Sequence, residues 1–219
     1  PIVAFSDATV GGNCPQEFTI TRTWTATDAC GNSTACIQTI VIDDSLAPVI
    51  TCPANITIEC TASSDPLNTG SATATDCDPT PNITSSDVTV GGACPQEYTI
   101  NRTGTATDEC GNSRTGLHTI FVDASTPPTV TCPANVTILC TDSTLPGFTG
   151  TATASDNCDG APTVVSTDAT VSGGCAQEYT INRTWTATDD CGNSSTCLQT
   201  ITVDDNAAPT LTCPAPVSV

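Results

Sequence analysis

Apolar and polar positions alternate with a period of two along much of the chain. In EYTINRTGTATD, Tyr98, Ile100, Arg102, Gly104 and Ala106 share one face, and Thr99, Asn101, Thr103, Thr105 and Thr107 share the other. Successive side chains of a strand point to opposite sides, so this pattern predicts an antiparallel strand with one buried face and one threonine-rich face in water. LHTIFVD, NITIEC, SATATD and NITSSDVTV, rich in Thr, Ile and Val, predict further strands. Clusters of Gly, Pro, Asn and Asp separate them. No useful window carries a helical stripe, so the expected fold class is all-β.

The strand pattern recurs. RTWTATDACGN begins at Arg22, RTGTATDECGN at Arg102 and RTWTATDDCGN at Arg183. TCPA begins at Thr51, Thr131 and Thr212, and QE at Gln16, Gln96 and Gln177. Each interval is 80 or 81 residues, Asn157 being the extra residue. Such a period marks a tandem array of similar domains. The expected layout is a partial copy over 1–46 that lacks its first strand and complete copies over 47–126 and 127–208. The first strand of a further copy follows over 209–219. Each complete copy is expected to be a β-sandwich of about 80 residues.

The motifs TCPANITIEC, ATATDCD, EYTINRTGTATDECGN and TIFVD resemble hyalin-repeat-type immunoglobulin-like domains. Similar arrays occur in large secreted surface proteins of Bacteroidetes-type bacteria, including gliding adhesins. The resemblance covers the whole chain and implies tandem immunoglobulin-like sandwiches. It brings no catalytic residues with it, because such modules serve as stalks, adhesins and appendages to enzymes.

Fifteen Cys in 219 residues is the composition of a disulfide framework in an oxidising compartment. Zinc is disfavoured, since CxxC pairs are absent and the one His, His118, recurs in no other copy. Aromatic content is only 4%, so each core is thin. Each disulfide then contributes about 2–4 kcal/mol. Strand directions gather Cys132, Cys158, Cys191 and Cys197 at one end of a copy and Cys140 and Cys175 at the other. Bridging requires neighbouring Cα atoms. The expected pairs are therefore Cys140–Cys175, Cys158–Cys191 and Cys132–Cys197, with Cys60–Cys94 and Cys77–Cys110 in the middle copy. Cys52 is left over because Gly116 replaces its partner. It is then a buried free thiol or bonds elsewhere.

The charge is −19, from 23 acidic residues against four Arg. That balance argues against nucleic acid and anionic membrane as partners, and no apolar run is long enough to span a bilayer. It leaves calcium as a candidate ligand. Asp28, Asp108 and Asp189 precede Cys-Gly-Asn turns, and Asp76 and Asp156 are expected at the same end of their copies. The competing role for such Asp residues is to cap turns through backbone N–H groups. Sequons fall at Asn32, Asn55, Asn82, Asn101, Asn135, Asn182 and Asn193. Asn101 and Asn182 lie on the expected outer face and are the leading candidates for attached glycan. Arg22, Arg102 and Arg183 fall on the inner face and require a carboxylate or several carbonyls, an Asp of the same copy being the expected partner rather than a ligand.

No repeated nucleophile–base set or phosphate loop is present, so an enzyme is not expected. The composition and repeats point to an extracellular, cell-surface structural or adhesive protein that builds a surface filament or fibril from an end-to-end array of Ig-like domains. The alternative is a carbohydrate-binding or spacer module of a larger secreted enzyme or adhesin. The absence of an initiator Met points to a mature product or a fragment. The two incomplete ends are complementary, which suggests copies of the chain associating head to tail by strand addition, with Cys213 of one bonding Cys36 of the next; the alternative is that the ends are cuts in a longer continuous chain.

Overall fold

The computed structural model describes residues 1–215. They form strands and two single-turn helices, so the class is all-β, as the alternation predicts. The chain divides into two compact units. The first holds Pro1–Ile58, Ala62–Gly91 and Tyr98–Val122. The second holds Glu59–Thr61, Gly92–Glu97 and Asp123–Val219.

In the first unit, the opening copy is an antiparallel sheet of β1 (Ile2–Gly11), β2 (Phe18–Thr27) and β3 (Ser33–Ile42). The middle copy has β4 (Val49–Thr51), β5 (Ile56–Glu59), α1 (Pro66–Thr69), β6 (Thr73–Thr75), β7 (Asn82–Gly91), β8 (Tyr98–Thr107) and β9 (Ser113–Asp123). Strands β5-β9-β8-β7 form one sheet and β4-β6 the other. The two layers make an immunoglobulin-like sandwich. Along β8 the alternation is literal: Ile100, Arg102, Gly104 and Ala106 are buried, while the intervening Asn and Thr residues are half-buried.

In the second unit the plan recurs in β10 (Thr129–Thr131), β11 (Val136–Leu139), α2 (Pro146–Thr149), β12 (Thr153–Ser155), β13 (Thr163–Ser172), β14 (Tyr179–Thr188) and β15 (Ser194–Asp204). Its sheets are β11-β15-β14-β13 and β10-β12. Ile138, Ile181, Ile201 and Val203 form the core, with Val136 and Tyr179 packed against them. The first run of the copy meets the last strand only through its second half. Pro133 has no N–H for a ladder and interrupts TCPANVTI. The run therefore splits: β10 joins β12, and β11 lies parallel to β15 with Ile138 opposite Val203.

The single-turn helices are stopped by glycines at positive φ, Gly70 at 97° and Gly150 at 100°. A Cβ on Gly70 would also meet the Pro53 ring at 2.9 Å, so the position admits no larger residue without movement. Residues 205–215 form no strand, and 216–219 lie outside the described residues. A first strand over 209–219 is therefore not seen in the described part. Its counterparts β4 and β10 pair with strands further along the chain, β6 and β12.

Ile201 is fully buried, whereas Leu198 on the same strand is 57% exposed. Ile201→Ala is expected to cost about 3 kcal/mol and Leu198→Ala under about 0.5 kcal/mol. Urea denaturation of the two variants checks the contrast.

Candidate functional site

Each inner-face Arg binds the Asp directly across the strand pair. Arg102 stands opposite Asp87 and Arg183 opposite Asp168 in the register of the hairpins. Arg102 donates Nε and Nη2 to the two Asp87 oxygens at 2.8 Å each. Its remaining donors reach Thr69 Oγ1 and the Ser64 carbonyl, both at 3.0 Å. Arg183 repeats this with Asp168, Thr149 Oγ1 and the Thr144 carbonyl. The pairing thus ties the large sheet to the helix turn that ends in Thr69 or Thr149. Arg22 has only Asp7, at 2.8 Å, and lies over the Phe5 ring at 4.5 Å.

The Asp and Asn of the TATDxCGN turn each have defined partners. Asp28 Oδ1 accepts from the N–H groups of Cys30 and Asn32, and its Oδ2 accepts from the Asn32 amide. Asp108 and Asp189 cap their turns in the same way. The glycines take φ near +90°: Gly31 86°, Gly111 92° and Gly192 89°. The Asn then holds the connection ahead of its copy, Asn112 donating to the Asp44 carbonyl at 2.9 Å and Asn193 to that of Ala124 at 2.7 Å. The Cys forms the link to the preceding copy.

The disulfides are Cys14–Cys110, Cys60–Cys158, Cys94–Cys191 and Cys132–Cys197. Of the expected pairs the structure forms Cys132–Cys197, which bridges the two sheets of one copy. It does not form Cys60–Cys94, Cys77–Cys110, Cys140–Cys175 or Cys158–Cys191. Three of the four bonds instead run from one copy to the next. Cys14 and Cys94 sit in the tight loop before QE, where Gly12 donates to the Glu17 carbonyl at 2.7 Å and Gly92 to that of Glu97 at 2.8 Å. Each loop Cys meets the turn Cys of the following copy with Cα atoms 5.1 Å apart. Cys60, just past β5, likewise meets Cys158, at 6.0 Å. Cys30, Cys36, Cys77, Cys140, Cys175 and Cys213 are unpaired and exposed, and Cys52 is unpaired and half-buried.

The proposed calcium residues fall into two groups. Asp28, Asp108 and Asp189 use both carboxylate oxygens in their turns. Asp76 Oδ2 and Asp156 Oδ2 are buried without partners, a cost of about 1–3 kcal/mol each. Among the described residues, the close acidic group is Asp44, Asp76 and Cys77. Calcium takes six to eight oxygens, and two carboxylates with a thiol do not supply that set. The Cys77 thiol instead donates to Asp44 Oδ2 at 3.2 Å. That hydrogen bond, with burial and the Asp44 and Asp76 charges, pushes its pKa up to about 11.

The sequons differ in freedom. Asn101 and Asn182 lie half-buried on the outer faces of β8 and β14, and Asn82 is exposed at the start of β7. Asn55 and Asn135 are exposed and accept from the N–H groups of Thr119 and Thr200. Asn32 donates its side-chain amide to Asp28 within its turn, and Asn193 donates to Asp189 within its turn and to the Ala124 carbonyl ahead of it.

No protein-family model and no curated protein sequence matches this chain. Solved structures with similarity include the human desmocollin-1 ectodomain, at 13% identity and TM-score 0.32, covering 94% of this chain and 55% of that one. Protocadherin gamma B2 domains 3–6 match at 11% identity and TM-score 0.35, covering 93% and 68%. A protocadherin gammaB7 cis-dimer structure matches at 12% and 0.37, covering 92% and 68%. No helix among the described residues is long and apolar enough to cross a membrane.

Two predictions follow from these geometries. Asp168 is held below the usual carboxylate range by hydrogen bonds from Arg183. Its contribution is complete above the ordinary value of about 3.9 and is lost as pH falls through the depressed one. Asp168→Asn is therefore expected to destabilise by about 2 kcal/mol at neutral pH. This is less than for a fully buried pair, because the Asp168 side chain is 40% exposed. The difference from the parent shrinks once acid protonates Asp168 in both folded and unfolded states, as denaturation midpoints against pH will show. Separately, the Cys77 thiol is expected to alkylate roughly tenfold more slowly than Cys30 near pH 8. Asp44→Asn should remove most of that difference, measured by timed labelling and peptide mapping.

Proposed function

We propose that the chain is an extracellular structural or adhesive element, a length of surface filament in which hyalin-repeat-type copies are joined end to end. Its copies span 1–46, 47–126, 127–208 and 209–219. The observation that carries this reading is the set of disulfides from one copy to the next. An enzyme or free-standing binding domain has no need to bond its neighbours at a fixed repeat spacing, whereas a load-bearing array does. Disulfide density supports a location outside the reducing cytoplasm. The strong negative charge supports solubility and disfavours nucleic-acid partners. Threonine-rich outer faces offer positions for attached glycans.

The same logic supports head-to-tail growth. The loop of Cys175 has the closure of its bonded counterparts, with Gly173 donating to the Glu178 carbonyl at 2.8 Å. The turn of Cys30 matches those of Cys110 and Cys191 in its Asp cap and positive-φ glycine. A Cys175 loop therefore fits a Cys30 turn of another chain, and Cys213 and Cys36 offer a second contact.

Concentrated chain in a glutathione redox buffer, with isotope-labelled and unlabelled protein mixed, tests this. Each bond formed oxidises two cysteine thiols and reduces one glutathione disulfide to two thiols. A ladder of oligomers is expected on a non-reducing gel, with Cys175–Cys30 peptides of mixed isotope content, and Cys175→Ser should abolish those peptides. Monomers carrying glutathione on Cys30 and Cys175 would overturn head-to-tail assembly.

A further inference from the structure

The middle and third copies differ at one place in their interiors. In the third copy, Trp185 is 4% exposed and stands opposite Cys197, which bonds Cys132. Trp185 Nε1 donates to Gln199 Oε1 at 3.3 Å. Gln199 in turn donates to the Thr149 and Ala134 carbonyls at 2.7 and 3.1 Å, so every polar atom of this buried pair is used. Arg183 stands 5.9 Å from the indole.

In the middle copy, Gly104 replaces the Trp, Gly116 stands opposite it in place of the Cys, and His118 replaces the Gln. The indole and one thiol are gone, and the neighbours close only part of the space: a Cβ on Gly104 would stand 3.2 Å from Ile50 Cδ1, and one on Gly116 would stand 2.6 Å from Cys52 Sγ. A cavity of about 230 Å³ remains, lined among others by Cys52, Ala72, Ile83, Arg102, Gly104 and His118. His118 is 2% exposed, and neither of its ring nitrogens has a partner. Cys52 is an unpaired thiol. Ile83, at 37% exposure, marks the side toward solvent.

The cavity presents a buried imidazole with unused hydrogen-bonding capacity beside an Arg already held by Asp87, Thr69 and Ser64. In a neutral imidazole one nitrogen accepts and the other donates. An apolar cavity of about 150 Å³ elsewhere suffices for benzene, so this volume suits a bicyclic ring.

The geometry points to a binding site in the middle copy for a free planar bicyclic aromatic molecule of the indole type. The ligand takes the space that Trp185 fills in the third copy. Its ring lies beside Arg102, and its N–H meets His118. The site is independent of the array proposed above, because none of its lining residues takes part in a copy-to-copy bond.

Indole itself is the probe, titrated into the full chain. His118 is the only His in the sequence, so its ring proton signals report the site without ambiguity. Saturable shifts are expected, and Gly104→Trp should abolish them by filling the cavity as the third copy does. A linear, unsaturable response would overturn the site. So would unchanged binding in a folded Gly104→Trp chain. If that variant fails to fold, Cys52 decides in the parent protein. With indole at about ten times its Kd, alkylation of Cys52 should slow about tenfold, while Cys140 and Cys175 react as before. Equal Cys52 rates with and without indole would overturn the proposal.

Discussion

Each copy has little to bury. The core of the third copy rests on Ile138, Ile181, Trp185, Ala187, Ile201 and Val203, and the middle copy has fewer large apolar side chains. Short domains of this kind gain too little from apolar burial alone to offset the ordering of the chain. The rest of the architecture answers that shortage. The Arg–Asp pair crosses the strand pair and reaches down to the helix turn, so polar groups join the layers where apolar ones are scarce. The Asp-capped turn and the disulfides do the same work at the ends of the sheets.

Strands and repeats were legible because period-two alternation and an 80-residue period are local signals. EYTINRTGTATD became β8 with the anticipated inner face, and the inner-face Arg residues found carboxylates of their own copy. The disulfides were not legible for a specific reason. In a tandem array, the motif around Cys110 looks the same whether its partner lies in its own copy or in the one before. Shifting one partner by a whole period changes nothing in the local sequence. The strand directions placed the cysteines at opposite ends of a copy, but only three-dimensional proximity could show which end met which. Asp28, Asp108 and Asp189 illustrate a second limit. Their spacing fits either a cation or a turn cap, and the choice depends on where each oxygen points.

The middle copy shows how a repeat can diverge without losing its frame. Gly104, Gly116 and His118 change the interior of one sandwich, while the Arg102–Asp87 pair, the Asp108 turn and the inter-copy bonds persist. Because the frame does not depend on filling that part of the core, the core is free to change. Stability and specialisation are thereby separated within one domain.

The overlap of the disulfide loops governs how the chain would respond to tension. Consider a pull applied at the two ends. The shortest covalent route enters at Pro1, crosses from Cys14 to Cys110, runs back along the backbone to Cys94, and crosses to Cys191. Residues between 14 and 94 and between 110 and 191 are otherwise off that route. Unfolding a sheet would therefore release little extra chain. Reduction of the same bonds would return those residues to the covalent route, so the length of chain that unfolding can release depends on whether the bonds are intact.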